Sequence, residues 1–226
     1  MLVDSGVASW EEIAGFVEGS GSNSFVRNLV AALDELYDLG GEGVTPENWA
    51  NLDREIRRRR RDPAWTGEVM KRAGVTRVIT DPYTDPLLDA REAFGENYHS
   101  VFRINAFAMG WHPDARDHNG NSPFEFAKRL GAPLESFDDF EALMERAVDT
   151  MGQRNQVALK NALAYDRDVC FEEPDRSLAR RAWGAANPSP EERKAFGDFA
   201  VDRLCALAGE RDMPMQMHLG TALIRG

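Results

Sequence analysis

Four short apolar runs constrain this chain more than any other feature: "VTRVITDPY" (75–83), "SVFRINAFAM" (100–109), "QVALKNALAY" (156–165) and "MPMQMHLG" (213–220). Their length and flanking turn residues are those of strands, and helical stretches separate them. "SFDDFEALMERAVDTMG" and "SPEERKAFGDFAVDRLCALAGE" read as helices, with Ser136 and Ser189 at N-cap positions and Gly209 ending the second. Strands that alternate with helices form parallel βαβ units, each strand covered by the helix that follows it. The last run, read at a period of two, puts Met213, Met215 and Met217 on one side and Pro214, Gln216 and His218 on the other.

Residues 1–74 have a different texture. "SWEEIAGFVE" opens on Ser9 with Glu12 three positions on, the spacing of a capping box. "SFVRNLVAALDELYDL" carries Phe25, Leu29, Ala32 and Leu36 on one stripe and meets Gly40 and Gly41 at its end. "TPENWANLDREIRRRRRD" starts with Thr45 and Pro46 in cap and first-turn positions and stops before Pro63. The sequence predicts three helices here and no strand, followed by an α/β segment over 75–226.

The bulk numbers exclude several classes of function. A chain of 226 residues with 42% hydrophobic content has enough apolar material for a packed core. Its net charge of -11 opposes nucleic-acid or anionic-membrane binding, which needs a basic excess. The one basic run, Arg57 to Arg61, points all around a helix and has acidic neighbours, so it reads as a solvated helix end. No basic leader or membrane-length apolar run occurs. The two cysteines, Cys170 and Cys205, have no C-x-x-C spacing, which fits a reducing, cytoplasmic setting better than a disulfide framework.

Two residues carry a chemical question. Lys160 in "QVALKNALAY" either sits on a strand buried on both faces, where an ammonium is costly unless paired, modified or facing a polar cavity, or is a solvated lysine on a helix. His218, at the end of its strand, is either a hydrogen-bonded core residue or a metal ligand; the carboxyl ends of parallel strands are where sites assemble. The other histidines, His99, His112 and His118, form no H-x-H or H-x-x-x-H pair, so no self-sufficient metal motif exists. No glycine-rich phosphate loop or G-x-S-x-G elbow occurs. "WHPDARDHNGNSPFEF" is the expected long loop, emerging at the carboxyl end of the second strand.

Taken together, "VTRVITD", "VFRINAF", "VALKNALAYDRD" and "MPMQMHLGTA" resemble successive barrel strands of the amidohydrolase superfamily, in particular the amidohydrolase-related group that includes decarboxylases and lies near uronate isomerases. The resemblance implies an α/β fold: a partial (β/α)8 TIM barrel over 75–226, with an N-terminal helical segment over 1–74 matching the insertion some members carry after the first strand. It implies a metal-dependent hydrolase in which metal-activated water attacks an ester, amide or related centre, with a decarboxylase, a uronate-isomerase-like enzyme or a non-catalytic half-barrel remnant as alternatives. His218 matches the metal-binding histidine of the fifth strand, and Lys160 the fourth-strand lysine that many members carboxylate to bridge two metals.

The implied cofactor is a divalent metal ion, zinc first, with manganese, iron or cobalt also compatible with such ligands. Tyr165 and Arg167 would hold an anionic group of a small-molecule substrate, with Arg103, Asn105 and His112 as further contacts. The family's first-strand H-x-H pair, sixth-strand histidine and eighth-strand aspartate have no counterparts, so the stretch corresponds to strands two to five of eight. A half-barrel leaves two sheet edges and an inner face open, so self-association, as a homo-oligomer, or a complementary chain segment is expected.

Overall fold

Among the described residues, the strands β1 (Val78–Thr80), β2 (Tyr98–Arg103), β3 (Gln156–Asn161) and β4 (Met215–Met217) pair in parallel in their chain order. They form a curled half-barrel. This computed structural model describes residues 9–19 and 21–219, and these fall into two units that divide between Thr76 and Arg77. Gly220, expected to end the last strand, lies outside the described residues.

The first unit holds α1 (Trp10–Gly19), α2 (Ser24–Tyr37), α3 (Pro46–Arg60) and α4 (Trp65–Arg72). Ser9 and Glu12 cap α1 reciprocally, and Thr45 and Asn48 form a capping box on α3. The stripe expected to be buried on α2 is not: Phe25 is 72% exposed and Leu29 42%, while the neighbouring Val26 is interior. The helix also ends earlier than the glycine pair, because Asp38 itself takes the left-handed conformation, at φ 54°. The arginine run is partly spent locally, Arg57 on Asp53 and Arg58 on Glu55, while Arg59 lies over the rings of Tyr37 and Trp65. A fourth helix, α4, follows Asp62 and Pro63; the Asp62 carboxylate accepts the Ala64 N–H at 2.9 Å, while Ala64 itself makes no side-chain cap bond.

In the second unit the crossovers are α5 (Ala90–Phe94) between β1 and β2, then α6 (Asn105–Met109), α7 (Pro123–Leu130) and α8 (Phe137–Asp149) between β2 and β3. The last connection carries α9 (Arg176–Ala182) and α10 (Pro190–Glu210). Capping boxes at Ser136 with Asp139 and Ser189 with Glu192 start the two long helices where the sequence placed them. Gly209 lies inside the final turn of α10 rather than after it.

All four strands are shorter than the apolar runs that predict them, and two of the runs continue into helical turns. "SVFRINAFAM" leaves the sheet after Arg103 and turns into α6; "QVALKNALAY" leaves it after Asn161 for a 3-10 turn, Leu163–Tyr165. The apolar residues in α6, Ala106, Phe107 and Ala108, are buried against helices instead of on a strand. At Gly110 a side chain would collide with the Pro123 ring and the Ala106 carbonyl, so only glycine lets α6 end against the start of α7.

The core lies on one face of the sheet. Phe102 and Leu159 meet Phe107, Phe126, Phe137, Phe140, Leu143, Phe196 and Leu204 from the helices. Phe140 centres an aromatic group, with ring centroids 5.0 Å from Phe196, 5.1 Å from Trp183 and 5.9 Å from Phe107. The opposite, inner face is different. In-register partners share a face, so Arg103, Lys160 and Gln216 lie in one row, and Ile79 sits beside His99 with 62% of its surface exposed.

Phe140→Ala is expected to lower unfolding free energy by about 3–5 kcal/mol, the range for emptying a buried aromatic site. Phe94→Ala, at a ring 55% exposed, is expected to change it by less than about 1 kcal/mol. Urea unfolding of the full chain compares the two.

Candidate functional site

Parallel pairing sends the carboxyl ends of all the strands to one edge. Asp81 follows β1, Arg103 closes β2, Lys160 stands one residue before the end of β3, and His218 follows β4. The connection after β2 then folds back over this edge and delivers His118.

Arg103 is 7% exposed and is held by Asp81: its Nε donates to Oδ1 at 3.2 Å and its Nη2 to Oδ2 at 2.5 Å. Its guanidinium also lies 5.6 Å from the Tyr83 ring centroid. This leaves Nη1, which stands 3.4 Å from Nε2 of His118. On its other side the His118 ring places Nδ1 2.9 Å from Oδ2 of Asp166, and the His118 backbone N–H donates to Oδ1 of the same carboxylate at 2.7 Å. Asn105 Nδ2 donates to Oδ2 of Asp166 at 2.6 Å, while its own Oδ1 accepts from the Ala162 N–H at 2.9 Å.

These partners assign the imidazole proton. Nε2 faces two N–H donors, Arg103 Nη1 and, at 2.9 Å, Asn119 Nδ2, so it acts as the acceptor and the proton sits on Nδ1, aimed at Asp166. The Asp166 carboxylate is 3% exposed, and the three donors named above balance its desolvation.

Tyr165 joins two imidazoles. Its ring is stacked on His218, 4.8 Å between centroids and 14° between planes, and lies 5.0 Å from His118. The His218 backbone N–H donates to the Asn161 carbonyl at 2.8 Å, continuing the sheet pairing past β4. Its Nε2 is buried and has no hydrogen-bond partner among the described residues.

Of the residues singled out in the sequence, the structure brings Arg103, Asn105, Tyr165 and His218 to this edge. Asn105, expected on the strand beside Arg103, instead opens α6 and is fully buried. Lys160 lies on the strand, half-buried, with no ion pair among the described residues, which decides against the solvated-helix alternative. Two residues are set apart. Arg167 turns to α10, where it donates to Asp198 at 2.8 Å and to the Lys194 carbonyl at 3.2 Å; a Cβ on Gly197 would lie 2.5 Å from its Nη1. Asp198, 3% exposed, also takes Lys194 at 2.6 Å, and this hydrogen bond is the main reason the ammonium holds its proton above the usual lysine range. His112 accepts from the Asp114 N–H at 3.1 Å in the loop.

Asp81, His118 and Asp166 were not singled out by sequence reasoning. Asp81 and Asp166 each follow a strand directly or by a short turn, "VITD" and "AYDR", which is the signal that marked His218. His118 had none beyond its place in the long loop. Among the described residues no group of three or more histidine, cysteine, aspartate and glutamate side chains is arranged to hold a metal ion. No described helix is long and apolar enough to cross a membrane.

No protein-family model matches this chain, and no curated protein matches its sequence. Its fold is similar to that of uronate isomerase from Thermotoga maritima in a crystal structure: TM-score 0.69 at 15% sequence identity, covering 92% of this chain. The chain spans 46% of the length of that protein, so the half-barrel corresponds to part of a TIM-barrel enzyme.

A double-mutant cycle on Asp81→Ala and Arg103→Ala is expected to give a coupling of about 1–3 kcal/mol, because removal of either partner leaves a mostly buried charge unpaired. Additive effects within about 0.3 kcal/mol would show that solvent replaces the pair without cost.

Proposed function

We propose that this chain forms part of the active site of a metal-dependent enzyme of the amidohydrolase kind, and that it acts on a sugar acid by aldose–ketose isomerisation rather than by hydrolysis. The observation that carries this reading is the Arg103, His118 and Tyr165 cluster at the carboxyl edge of a half-barrel whose fold is similar to part of a uronate isomerase. A hexuronate presents a carboxylate and a row of hydroxyls. Arg103, fixed by Asp81, offers a guanidinium N–H, Lys160 offers an ammonium on the same face, and Tyr165 offers a phenol. Isomerisation moves protons between neighbouring positions of one substrate, and the site is rich in groups that hold protons.

The donors available here fit a divalent ion through one position. His218 carries a buried, unpartnered imidazole nitrogen, the type of atom that ligates zinc or manganese, and Lys160 would add an oxygen ligand only if carboxylated. Such an ion, when bound, supplies Lewis-acid polarisation of a substrate oxygen. The chain's own residues bind the carboxylate, orient the hydroxyls and fix the imidazole.

The test is to incubate the full chain with D-glucuronate in the presence of manganese or zinc and follow ketose formation, alongside a lactone and an amide of similar size. Ketose formation that falls at least about tenfold in Arg103→Lys, together with loss of stoichiometric metal in His218→Ala, is the expected result. Lactone or amide hydrolysis without isomerisation would replace this reading with the hydrolase one. Absence of both metal and sugar-acid binding would reject an active-site role.

A further inference from the structure

The buried Asp166 carboxylate does more than fill a polar hole. It takes the His118 backbone N–H, the His118 ring at Nδ1 and the Asn105 amide, so one carboxylate fixes both the position and the tautomer of a ring whose side chain is 27% exposed. An exposed surface histidine has no use for such a constraint. The unprotonated nitrogen, Nε2, is then presented beside Nη1, the one nitrogen of Arg103 that Asp81 does not engage, at 3.4 Å, with Tyr165 across the ring at 5.0 Å. An acceptor for a proton and a donor for a developing negative oxygen stand side by side, and besides Arg103 the acceptor meets the Asn119 amide, on a loop, at 2.9 Å.

We infer that His118 is a proton-transfer group that acts on a hydroxyl next to a carbonyl in the substrate, with Asp166 as its positioning residue. This rests on the sugar-acid reading of the site. In the step, the O–H bond of the substrate's C2 hydroxyl breaks and an Nε2–H bond forms; the electron pair stays with O2 as its carbonyl develops. The same proton then passes to O1, where the former carbonyl oxygen becomes a hydroxyl, and Nε2 is free again. The Asp166 carboxylate stabilises the imidazolium formed in between, and Arg103 Nη1 stabilises the charge that collects on the enediolate oxygens. No oxidant or reductant enters. The hydrogen that moves from C2 to C1 is carried by a different group and is not part of this step.

Two measurements on the full chain test the inference. The first uses no substrate: two-bond proton–nitrogen correlation of the histidine rings, assigned with His118→Asn, is expected to show His118 protonated on Nδ1 alone, and Asp166→Asn is expected to release it to a mixture of tautomers. A His118 ring protonated on Nε2 in the unsubstituted chain would overturn the inference.

The second measures D-glucuronate affinity and ketose formation together. His118→Asn is expected to slow ketose formation by about 10²-fold or more while glucuronate affinity stays within about twofold. Full activity in His118→Asn would overturn the role of His118 and leave the sugar-acid reading standing. An unsubstituted chain that binds no glucuronate would overturn that reading, and the inference with it.

Discussion

The site depends on a single buried carboxylate. Asp166 leaves the sheet at the end of β3, yet its two oxygens collect an amide from the first residue of α6 and both the backbone and the ring of His118 from the loop beyond α6. Three segments far apart in sequence are therefore tied at one point. A carboxylate at 3% exposure is tolerable only if its lone pairs are filled, so each donor constrains the others. Asn105 makes this mutual: with Nδ2 on Asp166 and Oδ1 on the Ala162 N–H, its amide orientation is fixed from both ends. The loop has no regular structure of its own, and its placement over the strand ends comes from these bonds together with Asp117, which accepts from the Asn119 and Asn121 backbone N–H groups at 2.9 Å.

The sheet imposes a second constraint through its two unlike faces. Toward the helices it offers Phe102 and Leu159, both fully buried, and the aromatic group around Phe140. Toward the inside it offers Val101 and Ala158 lower down and Arg103, Lys160 and Gln216 at the edge. A lysine on a strand covered on both faces would be expensive, but on this inner face Lys160 is only half-buried. The same openness exposes Ile79, which in a closed barrel would face an interior.

The parallel α/β architecture was legible because period-two apolar runs, alternating with capped helices, leave few other ways to bury both patterns. Ser136 and Ser189 started their helices where the sequence placed them, since a capping box is a local device that tertiary contacts rarely override. The strand lengths were not legible. In "SVFRINAFAM" the apolar residues continue past Arg103, and apolarity alone does not distinguish a buried strand from a buried helix. The exposed stripe of α2 fails for a related reason: Val26, one residue from Phe25, is just as apolar, and which of two adjacent stripes is buried depends on neighbours the local sequence does not specify. Asp166 escaped notice because the value of a carboxylate comes from its burial, which one acidic residue in "AYDR" does not reveal.

The two arginines nominated for anion binding show how a guanidinium is divided between structure and function. Arg167 spends its donors on Asp198, on the Lys194 carbonyl and on the Asp168 carbonyl, and α10 carries a glycine at 197 where a side chain would press on it. That saturation, under a helix, makes it a brace between the β3 exit and α10. Arg103 uses only two of its nitrogens on Asp81 and presents the third to His118. A guanidinium held rigidly on one edge and open on the other is preorganised for a planar anionic or polar partner, because little side-chain entropy remains to be lost on binding. Sequence spacing ranks the two residues alike, and each guanidinium has three polar contacts; what separates them is the third partner, a backbone carbonyl of α10 for Arg167 and the His118 ring for Arg103.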